Sequence, residues 1–538
     1  MRKLAYPQFV VAICCVAPGS VFAEPAMFVF NSDGGAAAIA HVKGKPVRDV
    51  VCRELNELEG TAVTDFFWCP IVGGNVFIYP TNVGERMGDN ILDWDEIHPY
   101  YREQGRAMAD NLRQLIERGD DPIEMLSARA KELGIRFWLS CRMNEIHEDD
   151  DRFMVLRSLF KEKHPELLHD KNHHPEAIYA SKKDWSYAWD YSHDKVRAHF
   201  LALFREWMQY EIDGIELDWQ RSPCLFSPDN ETAGAPLLTD FVTKLREAAD
   251  ASGEKRQRPV QLAVRVPQSL DLCRAAGIDV KTWIERGLVD VVIPVDRRYF
   301  DPEPRLSEFV ALRKLSDVVV LGGIEPKVRG YKQSNRQTFA AVSNFLYHGV
   351  DGVYLFNYDC HRLKNASWEY GGNLQDYTPQ EVAFLKHALD PATVRDQDKQ
   401  YLISQDTMRR MAEDGGNRPL MCRLPVGDSK TFTLTIGDDL ARADQDRRIR
   451  SSQLVVTFKD QKLSFHTDQL NFEVNGRAQT PEQYQIELRK PDLIEIILAN
   501  PPMRRGANTI TLGLKPGSDT DKIIRSIDLN IDYLSPDA

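Results

Sequence analysis

The chain has 538 residues, 43% hydrophobic, 28% charged and 9% aromatic, which excludes a disordered polypeptide and supplies enough apolar residues for more than one core. Glycine (32) and proline (29) are near average, so collagenous and low-complexity classes are out. The balance of 68 Lys+Arg against 80 Asp+Glu gives −12, and no basic run stands out, which argues against nucleic acid or an anionic membrane surface as a partner.

Arg2 and Lys3, the apolar stretch 9–17 and small residues at Val21 and Ala23 together predict a secretory signal peptide over 1–23, cut before Glu24. The protein is therefore expected to be exported, periplasmic or secreted. No later stretch reaches the roughly 20 apolar residues of a membrane span. Seven cysteines follow the leader, at 52, 69, 141, 224, 273, 360 and 422. An odd number leaves at least one unpaired, and the absence of a C-x-x-C pair argues against a zinc site. No metal or cofactor is expected.

From about 26 to 390, helical spacing of three and four repeatedly gives way to a short Val/Ile/Leu/Phe run ending in polar residues. The runs at 27–31, 64–69, 136–142, 214–218, 261–266, 289–295, 318–324 and 352–357 suit strands buried on both faces. Eight strands with intervening helices predict a (β/α)8 barrel over 24–390. A doubly wound open sheet is the alternative, but no G-x-G-x-x-G or P-loop follows any strand. Residues 391–427 are polar and mixed and are expected to be a linker. Alternating runs such as TFTLTI and LVVTF predict a β-sandwich over 428–538.

Polar residues at the C-terminal ends of barrel strands face the active-site mouth. These positions hold Asn31 and Asp33, then Arg142, Asn144, Glu145 and His147, then Asp218, Gln220 and Arg221. Arg265, Asp296, Arg297, Glu325, Asn357, Tyr358 and Asp359 complete the set. Carboxylates, amides, arginines and aromatics converging on one mouth suit a sugar-binding cleft. Period two places Glu216, Asp218 and Gln220 on one face of the fourth strand, Glu216 deeper and Asp218 at the rim. Two inward carboxylates on one strand read either as function or as a salt-bridge layer with Arg265 or Arg142.

The segment Asp213-Gly214-Ile215-Glu216-Leu217-Asp218-Trp219-Gln220 resembles the fourth-strand signature of family 18 chitinases, Asp-Gly-x-Asp-x-Asp-x-Glu. In that family the final Glu is the acid; here Gln220 stands in its place and Glu216 replaces the first inner Asp. Family 18 chemistry is therefore not expected. A closer resemblance is to the glycosyl-hydrolase-like 10 group of exported bacterial barrels. It is carried by Trp189-Asp190-Tyr191, Asp194-Lys195-Val196-Arg197, Asp213-Gly214-Ile215, Asp218, Arg221 and Pro223, with Arg142-Met143-Asn144-Glu145-Ile146-His147 after the third strand. The resemblance covers the barrel and implies a carbohydrate-active protein without fixing a substrate.

Asp218 and Glu325 are the expected catalytic pair, acid/base and nucleophile in unassigned order, with Asp296 in reserve. Carboxylates on the fourth and seventh strands face each other in many retaining glycosidases, a fold-level analogy. Substrate contacts are expected from Asp33, Arg142, Asn144, His147, Glu216, Gln220, Arg221, Arg265, Asp296, Asn357 and Tyr358. Arg142, Asn144 and Arg265 are assigned to hydroxyls or an anionic substituent. Between strands three and four, 148–192 holds an acidic triplet, four histidines and the alternating Trp185, Tyr187, Trp189 and Tyr191, read as either a sugar-stacking wall or a short buried strand. The leading expectation is an exported glycoside hydrolase acting on an oligo- or polysaccharide. The alternatives are a non-catalytic carbohydrate-binding barrel, a barrel lyase using His147 or Tyr358 as base, and a structural envelope protein.

Overall fold

The structure is a computed structural model. It describes residues 27–34, 47–147, 151–170, 186–295, 305–325, 327–328, 331–332, 334–362, 377–404, 422–459, 469–490, 493–518 and 520–534. The expected signal peptide, Asp296 and Arg297 lie outside the described residues, as do Asp149, Asp150, His173, His174 and Trp185.

Eight parallel strands close into a barrel: β1 (Met27–Ser32), β2 (Asp65–Trp68), β3 (Arg136–Arg142), β4 (Gly214–Asp218), β5 (Gln261–Pro267), β6 (Val291–Val295), β7 (Val319–Ile324) and β8 (Gly352–Leu355). The order β1-β8-β7-β6-β5-β4-β3-β2 returns to β1, so no sheet edge is left open. Both faces of every strand are covered, as expected of strands that read as unbroken apolar runs. Phe28 and Phe30 point outward to the helices, while Met27 and Val29 point inward with Phe67, Trp138, Ala263, Ile293, Leu321 and Tyr354. The period of two continues upward from this inner layer to Asn31, Ser140, Arg142, Glu216, Asp218 and Arg265. Register sets Arg142 opposite Asp218 and Asp218 opposite Arg265, one polar layer above Ser140, Glu216 and Ala263.

Behind the barrel, β9 (Lys399–Ser404), β10 (Cys422–Leu424), β11 (Ser429–Ile436), β12 (Ile449–Lys459), β13 (Leu470–Val474), β14 (Arg477–Ala478), β15 (Tyr484–Lys490), β16 (Leu493–Ala499), β17 (Gly506–Leu514) and β18 (Lys522–Tyr533) form two antiparallel sheets. One runs β9-β18-β12-β16-β15 with β10 also on β18; the other runs β11-β17-β13-β14. Leu434, Phe472 and Ile510 of the second sheet share one core with Leu454, Ile496 and Ile527 of the first, which makes a sandwich.

The expected linker over 391–427 is corrected. Pro391–Arg395 is helical, β9 pairs with β18 from Lys399↔Ile531 to Ser404↔Ser526, and β10 adds Cys422↔Ile524. The β domain thus begins at Lys399, with 405–421 outside the described residues. All seven described cysteines are free thiols. No described helix is long and apolar enough to cross a membrane.

Candidate active site

Two charge networks meet at the mouth. In the first, Arg265 on β5 is fully buried and its Nη1 donates to both oxygens of Asp218, at 2.9 and 3.0 Å. Its Nη2 lies 3.5 Å from Oε2 of Glu325, which follows β7, and its guanidinium carbon sits 3.5 Å above the Phe356 ring. One guanidinium therefore bridges both expected catalytic carboxylates and stacks on an aromatic face. Their nearest oxygens are closer together than about 9.5 Å, the upper end of the range glycosidase pairs use. Asp218 is fully enclosed, whereas the Glu325 side chain is 10% exposed, so solvent reaches the pair through Glu325.

In the second network Arg142 ion-pairs with Asp33 and donates to Glu145 at 3.2 Å and to Asn357 at 3.3 Å. Arg221 Nε donates to the same Glu145 oxygen at 3.1 Å, and Arg221 Nη2 lies 3.1 Å from His147 Nε2. Because a guanidinium only donates, His147 Nε2 accepts there and its Nδ1–H serves Glu145 at 2.8 Å. Burial opposes ionisation of Glu145, but Arg221, His147 and Arg142 outweigh it and hold the carboxyl well below its usual range. Every described arginine of the mouth is thus matched to a carboxylate, and His147 is committed on both nitrogens.

One layer deeper, Glu216 is completely enclosed, with Oε2 accepting from Asn31 Nδ2 at 3.3 Å and Oε1 unmatched. Burial and then the neighbouring Asp218 push it up to about 7, with the Ser140 and Tyr354 hydroxyls and Arg265 pulling it back. Gln220 is also fully buried, donating to the Val295 carbonyl at 3.0 Å with its own oxygen unmatched.

Two expected substrate contacts are corrected. Asn144 is buried with its amide spent on backbone: Nδ2 donates to Cys224 O at 2.6 Å, and Oδ1 accepts from Trp189 N–H at 2.8 Å. It clamps the β3 loop to the 186–192 segment. Tyr358 points away from the mouth into the outer layer, against Phe30 and Phe384. The reason is Asn357, whose left-handed φ of 45° breaks the strand's alternation just before it, where the chain turns into a short helix. Trp189 and Tyr191 are core residues, resolving that pair of the aromatic run as a buried segment. Asp33, Arg142, His147, Glu216, Gln220, Arg221, Arg265 and Asn357 come together in these two networks and the layer beneath them. Asn31 was placed at the mouth without a role and Phe356 was not singled out, although the inward period of two running from Met27 and from Tyr354 marks both.

No protein-family model and no curated protein matches the chain. Among solved structures it is similar to an α-galactosidase from Thermus thermophilus in complex with p-nitrophenyl α-D-galactopyranoside, at 15% identity over 70% of this chain and 64% of that one, TM-score 0.36. It is similar to a noncanonic maltogenic α-amylase from Thermotoga neapolitana at 13% identity over 90% and 98%, TM-score 0.36. Amy13B of Eubacterium rectale is similar at 10% identity over 96% and 97%, TM-score 0.39. The barrel assignment rests on the strand order given above.

Proposed function

We propose that the protein is an exported carbohydrate-active enzyme, a glycoside hydrolase whose carboxylate pair is Asp218 and Glu325. The observation that supports this reading is the single guanidinium of Arg265 shared between carboxylates of β4 and the β7 end, at the face of the barrel where chemistry belongs. With both oxygens engaged by Arg265, Asp218 suits the nucleophile or charge-stabilising role. Glu325, held by a longer contact and buried except for a side chain 10% exposed, suits the proton donor. The resemblance at the fourth strand points to the same class. In this reading residues 1–23 direct export and the substrate is an oligo- or polysaccharide.

The enclosure of Asp218 by Arg265 also supports a second reading, a carbohydrate-binding barrel without turnover, in which the pair is a structural ion pair. Incubating the mature chain with a panel of oligo- and polysaccharides and following reducing-end release separates the two. Release of new reducing ends supports the hydrolase. Retention on an immobilised glycan without release supports the binding barrel.

A further inference from the structure

Three carboxyls, Glu216, Asp218 and Glu325, surround one cation, Arg265, and the guanidinium already bonds Asp218 and contacts Glu325. Arg221 also lies near enough to act on Asp218 and Glu325, but Glu216 sits one layer deeper, completely enclosed and with Oε1 unmatched, so it is most stable there as an uncharged acid. The groups facing it are Asp218 on its own strand, Arg265 on β5, Tyr354 on β8, the Ser140 hydroxyl on β3 and Asn31 on β1, with the Cys141 thiol close by on the outer face of β3.

From Glu216 a relay of amides runs to the rim. Asn31 Nδ2 donates to Glu216, and Asn31 Oδ1 accepts the backbone N–H of Asn357 at 3.0 Å. The Asn357 side chain then donates to Asp33 Oδ1 at 3.0 Å and accepts from Arg142. Asn357 holds a left-handed backbone, so its geometry depends on these surrounding bonds. We propose that Glu216 is a positioning residue that, as an uncharged acid, holds Asn31 and through it the Asn357 turn and the Asp33–Arg142 pair. Losing its proton leaves an unsolvated charge beside Asp218 in an enclosed site, and the side-chain movement or water entry that relieves it loosens that turn. This makes Glu216 the pH-sensing support of the site assigned above, and it rests on that assignment only for its consequence on turnover.

Hydrogen–deuterium exchange of the full chain at pH 6 and pH 8, corrected for intrinsic rates, reads the Asn357 amide directly. The wild type should lose protection there between the two pH values, and Glu216→Gln should not. Asn31→Ala should lose it at both, which keeps the proposal testable if Glu216→Gln fails to fold. An equal pH-dependent loss in Glu216→Gln, a pH-dependent loss persisting in Asn31→Ala, or no loss in the wild type overturns the proposal. Because an amide is measured rather than turnover, failure of the glycosidase reading leaves this test intact, and failure here leaves the Asp218–Glu325 pair standing.

Discussion

Arg265 joins residues from three strands that no sequence spacing relates, and its removal is the most informative single change. Arg265→Met strips Asp218 of both its hydrogen bonds while leaving the carboxyl enclosed, and is expected to cost about 3–5 kcal/mol of folding stability, read by urea denaturation. The double variant Asp218→Leu/Arg265→Met should recover much of that loss, since an apolar pair of similar volume leaves no buried charge uncompensated. The same logic explains which residues were legible in the sequence. Asp218, Arg265 and Glu325 were visible because strand ends define the mouth. Their common partner was not, because ion pairing across β4, β5 and β7 is a property of the closed barrel. Tyr358 was misplaced because a left-handed Asn357 leaves no mark in a single sequence. Asn144 misled because a polar residue at a strand end looks alike whether it meets substrate or backbone.

At the level of elements, all eight barrel strands were legible with bounds correct to within about three residues, since strands buried on both faces read as dense apolar runs between turn signals. β9 was missed because its apolar core, Tyr401 to Ile403, is short and stands alone in a polar stretch. Gly214, opening β4, illustrates why the Asp-Gly pair is needed there: a Cβ would lie 2.3 Å from the Trp138 ring and 2.7 Å from the Gln261 carbonyl. Gly214→Ala is expected to destabilise by about 1–3 kcal/mol through overpacking, measured as a lowered thermal midpoint. On β18, burial pushes Asp528 from 3.8 up to about 6, with Ser526 and Gln400 donating to it at 2.8 and 3.1 Å. The folded chain therefore holds this proton more tightly than the unfolded one. The stability Asp528 contributes is present below pH 3.8 and lost as pH rises through about 6. Asp528→Asn should be more stable than wild type near pH 7, by about 1–2 kcal/mol, and the gain should vanish near pH 4.

Across the whole molecule, the helix Asn335–His348 explains why barrel and sandwich act together. It is buried without interruption from Gln337 to Leu346, with Phe345 in the barrel core and Ala340 in the sandwich core. Ser343 donates to Asp438 at 2.6 Å, Asn344 donates to the Thr435 carbonyl at 3.2 Å, and Asp438 also bonds Tyr533 at 2.6 Å and pairs with the buried Lys399 at 3.0 Å. An interface built on enclosed, matched polar groups couples the two units. Calorimetry should give one unfolding transition for the mature chain, and a fragment limited to 428–538, lacking β9 and β10, should fail to fold by circular dichroism. Two separate transitions would contradict this coupling.

The reading of the mouth as a glycosidase centre depends most on Glu325, the carboxylate of the pair that solvent reaches. Glu325→Gln keeps the size of the side chain and leaves the Asp218–Arg265 hydrogen bonds in place, so folding should be preserved. Once a hydrolysed glycan has been identified, the decisive measurement is kcat/KM of this variant against wild type on that glycan. The expected result is a loss of roughly 10²–10⁴-fold, the contribution of a general acid–base group. Undiminished hydrolysis in Glu325→Gln would contradict it.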